Sequence, residues 1–348
     1  MIGEKGNGGK RMEEKNISIK DIARLCNVSV PTVSRIINHT GRYSVDTERK
    51  VMKVIEETGY RPSVFARGLR TNRTNNIGII VPDITNEFFA SITLEIQNTL
   101  FEHSYTAMIC NTNEQPTVQT KQLEMLRGSR VSGIIFISGE EVTEEDLTDG
   151  IPKVFVDRLP WNAASKDIVT IEADNYEGGR MAAGTLLDGG CRKIAALFDA
   201  RGISTQLARY SGFVRAHQDR GIDIERELYR PVTTVSFQEG YDEIKRLLKS
   251  KIRFDGICCY SDSLACGAIK ALTEAGISVP EQIQVTGFDD TSMAKWATPA
   301  LTTIAQPVKE MGRLAAEMIL KMSRDEEIPQ KHYQLPVELI KRKSTNKE

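Results

Sequence analysis

The residues best suited to chemistry fall in two groups. The first lies in SIKDIARLCNVSVPTVSRIIN, from Ser18 to Asn38. Ser29 reads as the N-cap of a helix, and Pro31 falls in its first turn, where a missing N–H costs nothing. Val33, Ile36 and Ile37 recur at helical spacing as its buried face. Val30, Pro31, Thr32, Ser34, Arg35 and Asn38 are then left facing outward. Hydroxyl, guanidinium and amide groups at a helix N-terminus bond base edges and phosphates in a DNA major groove. Upstream, Ser18 and Asp21 form the S-x-x-D start of a capping box, followed by Ile19, Ile22, Ala23 and Cys26 on one face. Asn27, a residue that tolerates positive φ, separates the two segments. The pair is therefore a candidate helix-turn-helix, although a serine-capped helical hairpin with no role in DNA reading would leave the same pattern.

The second group sits where short apolar runs end. Asp83, Asn86, Phe88 and Phe89 follow the run Ile77–Val81, and Asp157 and Arg158 follow Lys153–Val156. Asp174 and Asn175 come after Ile168–Ile171, and Ser204 to Arg209 after Lys193–Phe198. Ser261 and Asp262 follow Gly256–Tyr260, and Asp289 and Asp290 follow Gln282–Gly287. Carboxylates and guanidinium groups can bond vicinal hydroxyls in pairs while an aromatic face covers the apolar side of a ring, which is the chemistry of a sugar-like site. Asp174, Asp262 and Ser204 could equally be helix caps, and Asp290 a turn residue.

These positions converge only if the elements are arranged to bring them together. Between the apolar runs lie amphipathic segments at Glu87–Phe101, Val118–Leu126, Tyr176–Leu187, Thr205–Gln218, Gln238–Leu248, Ser263–Glu274 and Val308–Met322. Short β-rich runs alternating with helices predict parallel sheets covered on both faces. Two such series predict two doubly wound lobes, and ligands in such folds bind beyond the carboxyl ends of the strands. Further runs include the last predicted strand, Leu335–Ile340. Ahead of the lobes, Ser44 or Asp46 caps a third helix ended by Gly59. Arg61-Pro62 then opens the short basic stretch PSVFARGLR, in which Leu69 could act as an apolar wedge in a minor-groove step. A solvated linker is the alternative for that stretch.

Charge separates the two parts. Residues 1–76 carry 15 Lys+Arg against 8 Asp+Glu, whereas the remainder carries 31 against 39. Only the first part suits a phosphate backbone. The six cysteines include no C-x-x-C pair and lie mostly in apolar runs, so they read as reduced, buried small hydrophobes. No apolar run is long enough to span a membrane, and the start lacks the apolar core of a secretion signal. A cytoplasmic protein is expected, with residues 1–15 as a disordered tail.

DIARLCNVSVPTVSRIIN, YRPSVFARGLR and NIGIIVPDITNEFF together resemble the LacI/GalR transcriptional regulators, and the resemblance runs to about residue 340. It implies an α/β fold: two doubly wound, periplasmic-binding-protein-like lobes of type I behind an all-α helix-turn-helix head. The implied boundaries are 16–61 for the head, 62–75 for a hinge helix and 76–345 for an effector and dimerisation domain. The first lobe would span about 76–173 and 305–325, the second about 174–304 and 326–345. By the same resemblance Val30, Pro31 and Arg35 read bases and Leu69 intercalates. Val30 and Pro31 cannot donate side-chain hydrogen bonds, so readout there must be apolar. Candidate DNA contacts are thus Ser18, Ser29, Val30, Pro31, Thr32, Ser34, Arg35, Asn38, Arg61 and Leu69. In the lobes the resemblance assigns effector contacts to Phe88, Phe89, Asp157, Arg209, Ser261, Asp262, Asp289 and Gln306, to which Asp83 and Arg158 add charge.

The reading is of a homodimeric repressor of operator DNA, switched by a small sugar-like effector. Its dimer face would use Ile92, Ile96 and Leu100, unless those three are core. A secreted solute-binding protein would need a signal and has no use for a basic head. An enzyme would need a nucleophile or cofactor motif: G-x-S-x-G, the P-loop and G-x-G-x-x-G patterns are all absent. No catalytic, metal or cofactor role is therefore assigned.

Overall fold

In the N-terminal unit, side-chain caps set where the helices begin. We describe a computed structural model for residues 17–37, 40–60, 74–139, 142–160 and 167–346. Helix α1 spans Ile19–Cys26; Ser18 and Asp21 form the reciprocal capping box, and Asn27 closes the helix with φ 53°. Helix α2 spans Val30–Ile37, and Ser29 Oγ accepts from Thr32 N at 3.2 Å. Helix α3 spans Val45–Thr58; Ser44, not Asp46, is its cap, and Gly59 ends it with φ 63°. Ile22, Ala23, Cys26, Val33, Ile36 and Val51 form one small core. Asn38, Arg61 and Leu69, the tail and nearly all of the expected hinge lie outside the described residues.

The second unit begins at Asn75. Its first sheet contains β1 (Asn76–Val81), β2 (Thr106–Asn111), β3 (Gly133–Ser138), β4 (Lys153–Arg158), β5 (Val169–Ala173) and β11 (His332–Leu335), in the order β11-β5-β4-β3-β1-β2. Helices α4 (Glu87–Glu102), α5 (Pro116–Gly128), the short α6 (Glu144–Thr148) and α12 (Val308–Ser323) belong to this lobe. The second sheet contains β6 (Ile194–Asp199), β7 (Tyr229–Val232), β8 (Gly256–Cys259), β9 (Gln284–Asp289), β10 (Thr302–Ala305) and β12 (Glu338–Ile340), in the order β12-β10-β9-β8-β6-β7. Around it lie α7 (Asn175–Asp188), α8 (Ser204–Gln218), α9 (Phe237–Lys249), α10 (Asp262–Glu274) and α11 (Ser292–Trp296). Pairing is parallel throughout except for β10 with β12. Parallel strands covered on both faces must be apolar along their whole length; β4 and β6 are buried at every residue.

Two expectations need correction. The single last strand, Leu335–Ile340, is two strands, because the chain crosses lobes within it. Residues 332–335 pair with β5 of the first sheet, and 338–340 pair with β10 of the second. The stretch 326–335 therefore leads into the first lobe rather than the second. Ile92, Ile96 and Leu100 are fully buried in the first-lobe core, so they form no dimer face. The exposed apolar residues of α4 are Leu94 and Phe101, with Ile109 nearby in sequence on the edge strand β2. Among the described residues no helix is long and apolar enough to cross a membrane.

Candidate functional site

On the head, α2 presents the expected surface with one reservation. Pro31 and Arg35 are exposed, and Thr32 and Ser34 are partly exposed. Val30 is half-buried against the head core, so only part of it is available for an apolar contact. The hydroxyls of Ser29 and Thr32 share a hydrogen bond of 2.8 Å. Ser18 Oγ donates to Asp21 Oδ2 at 2.6 Å, which commits that hydroxyl to capping. Gly41, at φ +78°, carries the following loop close along the Arg35 stem: a Cβ there would lie 3.4 Å from Arg35 Cδ.

In the second unit the carboxyl ends of both sheets face one cleft of about 430 Å³. Asp83, Phe88, Phe89, Asp157 and Arg158 line it from the first lobe, and Arg209, Ser261 and Asp289 from the second. Eight of the ten expected effector residues are therefore brought together. Phe88 and Phe89 meet edge to face, with centroids 5.3 Å apart. They follow Asn86, whose side chain accepts from Phe88 N and starts α4.

Arg209 is the most tightly held group. It is buried; its Nε donates to Asn175 Oδ1 at 2.7 Å and Nη1 to the Tyr260 carbonyl at 2.7 Å. Its guanidinium lies 3.6 Å from the Phe288 ring centroid, and Nη2 is 3.9 Å from Asp289 Oδ1. Burial pulls its pKa down, against the charges of Asp289 and Asp157. Burial pushes the Asp289 carboxyl up, opposed first by Arg209. A buried guanidinium with fixed partners and an aromatic stack is a preorganised anchor for hydroxyl oxygens.

Backbone strain gathers at the same place. Asn113, Glu114, Asp157 and Asp289 all line the cleft and all have positive φ, at 51°, 55°, 64° and 110°. Such conformations cost about 1–3 kcal/mol each and persist where the surroundings hold them, often at ligand clamps.

Asp262 and Gln306 are not on the cleft wall. The Asp262 carboxylate accepts from Thr291 N at 2.7 Å and from Thr303 Oγ1 at 2.6 Å, tying α10 to the ends of neighbouring elements. Gln306 stands behind Asp289 and donates to its Oδ1 at 2.7 Å. Asp174 caps α7, in line with its alternative reading as a helix cap, whereas Asp290 forms an ion pair with Arg342.

Gln206, from the Ser204–Arg209 segment, lines the cleft too, as do Asn113, Glu114 and Tyr260, which the sequence reading does not include among its site residues. Asn113 and Glu114 follow the end of β2, so the strand-end rule that found Asp83 and Asp157 would have found them too. Glu114 accepts from Arg158 of its own lobe at 2.8 Å and from Arg201 of the other at 2.6 Å. Burial would raise its pKa, but the hydrogen bonds and charges of Arg201 and Arg158 prevail and hold it below the ordinary value. Further bonds join the lobes: Leu159 N donates to Ser204 Oγ at 3.2 Å, Ser292 N to Glu87 Oε1 at 2.9 Å, and Ser292 Oγ to Glu87 Oε2.

Two family profiles match the chain: bacterial regulatory proteins of the lacI family over residues 18–63, and a periplasmic binding protein-like domain over residues 183–345. The chain is 35% identical to the HTH-type transcriptional regulator DegA of Bacillus subtilis (strain 168), across 94% of this chain and 98% of that protein. It is 31% identical to the ribose operon repressor of Halalkalibacterium halodurans, across 94% and 97%. The lac repressor dimer bound to operator and the anti-inducer ONPF shares the fold, with a TM-score of 0.84 at 24% identity over 95% of this chain and 99% of that one. A periplasmic binding protein/LacI transcriptional regulator from Alkaliphilus metalliredigens QYMF, complexed with D-xylulofuranose, gives 0.70 at 29% identity over 79% and 100%.

Proposed function

Because the chain belongs to the LacI family of bacterial regulatory proteins, we propose that it is a dimeric repressor that reads a pseudo-palindromic operator and is switched by a sugar-like molecule between its lobes. It is a transcription regulator, not an enzyme. The observation that carries the effector half of this reading is the anchored Arg209, beside Asp289 in the second lobe, sharing one cleft with Asp157, Phe88 and Phe89 of the first. Guanidinium and carboxylates suit a ring's hydroxyls, and the phenylalanines suit its apolar face. D-Xylulofuranose, held by the relative from Alkaliphilus metalliredigens, is a ligand of that chemistry. The exposed Arg35 and Pro31 on α2 support the DNA half, with Arg35 as the principal hydrogen-bonding reader. Asn38 and Arg61 remain proposed DNA contacts, and Leu69 the proposed intercalating residue. The ligand acts only through its different affinities for two lobe arrangements. Leu94, Phe101 and Ile109 are proposed as the dimer face, and the cytoplasm as the location.

The test is a pull-down of genomic fragments at near-physiological salt, with the retained DNA sequenced and Arg35→Ala run beside it. One enriched palindromic site is expected. Arg35→Ala should weaken binding to that site by about 1–3 kcal/mol and spare random DNA. Uniform retention of all fragments, or equal losses on both DNAs, would overturn the reading.

A further inference from the structure

Glu114 sits at the cleft mouth between guanidinium groups from opposite lobes. Its Oε1 accepts from Arg158 Nη1 at 2.8 Å. Arg201 approaches from the end of β6, with Nη1 2.6 Å from Oε2 and Nη2 3.2 Å from Oε1, so it binds both carboxylate oxygens. Paired donors of this kind recognise the planar shape of a carboxylate as well as its charge. Arg201 is held from behind by Asp199, whose carboxylate accepts from its Nε at 2.9 Å and whose side chain is fully buried. Arg158 lies against Phe89, with its guanidinium 5.0 Å from the ring centroid. Both cations are thus positioned by partners other than Glu114. Glu114 itself is placed by strained backbone: it and Asn113 have positive φ. Glu114 N donates to the Pro82 carbonyl at 3.0 Å, and Asn111 Nδ2 donates to Asn113 Oδ1 at 2.6 Å. A loop held in this way delivers one carboxylate to a cradle that two lobes supply.

We propose that Arg158 and Arg201 form an anion subsite spanning the lobes, that Glu114 fills it as a built-in anion, and that Glu114 thereby makes the cleft selective for uncharged, hydroxyl-bearing ligands. This rests on the reading of the cleft as the effector site. With Glu114 in place the lobes are joined at the mouth without any charge from the ligand. A carboxylate or phosphate group on a ligand could reach these arginines only by displacing Glu114, against the repulsion of Asp83 and Asp157 in the same cleft.

The test needs no effector and uses the full chain. Glu114→Ala opens a carboxylate-sized space between the two arginines, and acetate is the probe, with chloride at equal ionic strength as control. Backbone amide exchange is read in residues 112–116 and 199–206. Glu114→Ala should lose protection in both segments, and acetate should restore it; the unsubstituted chain should not respond. Arg201→Ala should lose the same protection, and acetate should not restore it. Glu114→Gln, which keeps the shape without the charge, should also lose protection that acetate cannot restore, and it carries the test should the alanine variant fail to fold. Full protection in Glu114→Ala or Glu114→Gln without acetate would overturn the proposal. So would acetate acting no better than chloride on Glu114→Ala, or acting equally on Arg201→Ala. Operator retention in the pull-down reports separately on the regulator reading, so the two can fail independently.

Discussion

Charge burial is the main energetic fact at the scale of single residues. Arg209 is buried with two short hydrogen bonds and an aromatic face; removing such partners leaves an uncompensated charge, which costs more than the pair contributes. Glu172, on β5, shows the opposite case. Burial, reinforced by the Asp157 charge, pushes its carboxyl up to about 7, above an unfolded value of about 4.3. The folded chain therefore binds that proton more tightly than the unfolded chain. The resulting stabilisation is complete below the unfolded pKa and is lost as pH rises through about 7. Glu172→Gln should remove this pH dependence, leaving the variant more stable than the parent above neutrality by about 1–3 kcal/mol. Urea unfolding at acid and mildly alkaline pH measures the difference; an identical offset at both would refute the assignment.

A pair of helices sets the position of Arg209. Helices α7 and α8 cross backbone to backbone in the second lobe. A Cβ on Gly212 would lie 2.0 Å from the Tyr176 carbonyl oxygen, and one on Gly179 would lie 2.1 Å from that of Arg209. Gly179 thus lets α7 lie directly against the backbone of the residue that anchors the cleft. Gly212→Ala should force the helices apart, destabilise the protein by about 1–3 kcal/mol, and weaken ligand binding in the cleft by moving Arg209. Denaturant unfolding and effector titration test the two effects together. Unchanged stability would mean that the helices separate at no cost. Crossovers are the other feature of this scale: the chain passes between the sheets after β5, after β10 and between β11 and β12. A ligand-driven lobe movement must be absorbed at those three places.

For the whole molecule, the charge division and the apolar surface matter most. The basic excess before residue 77 and the acidic excess after it direct one part to DNA and keep the other off it. Phe101 is 80% exposed on α4, and a two-fold dimer needs a self-complementary apolar patch. Phe101→Glu should shift the chain towards monomer and lower operator affinity, because both heads must bind for a palindrome to be read. Light scattering after size exclusion gives the mass. A dimer that persists would place the interface on another face.

The sequence alone determined what depends on local spacing. Ser18, Asn27, Ser29 and Gly59 mark helix ends because caps act on backbone groups within three or four residues. The strand-end rule placed Asp83, Asp157, Arg158, Arg209 and Asp289 around one cleft, since parallel connections carry every strand end to the same edge. Tertiary structure alone decided what depends on distant partners. Leu335–Ile340 splits between two sheets because β5 and β10 each offer an open edge to it. Asp262 turns away from the cleft, its buried carboxylate bonded instead to Thr291 and Thr303, which are distant in sequence. Glu114 meets Arg201 87 residues away, and no periodicity encodes a contact that exists only once two lobes have folded and closed on each other.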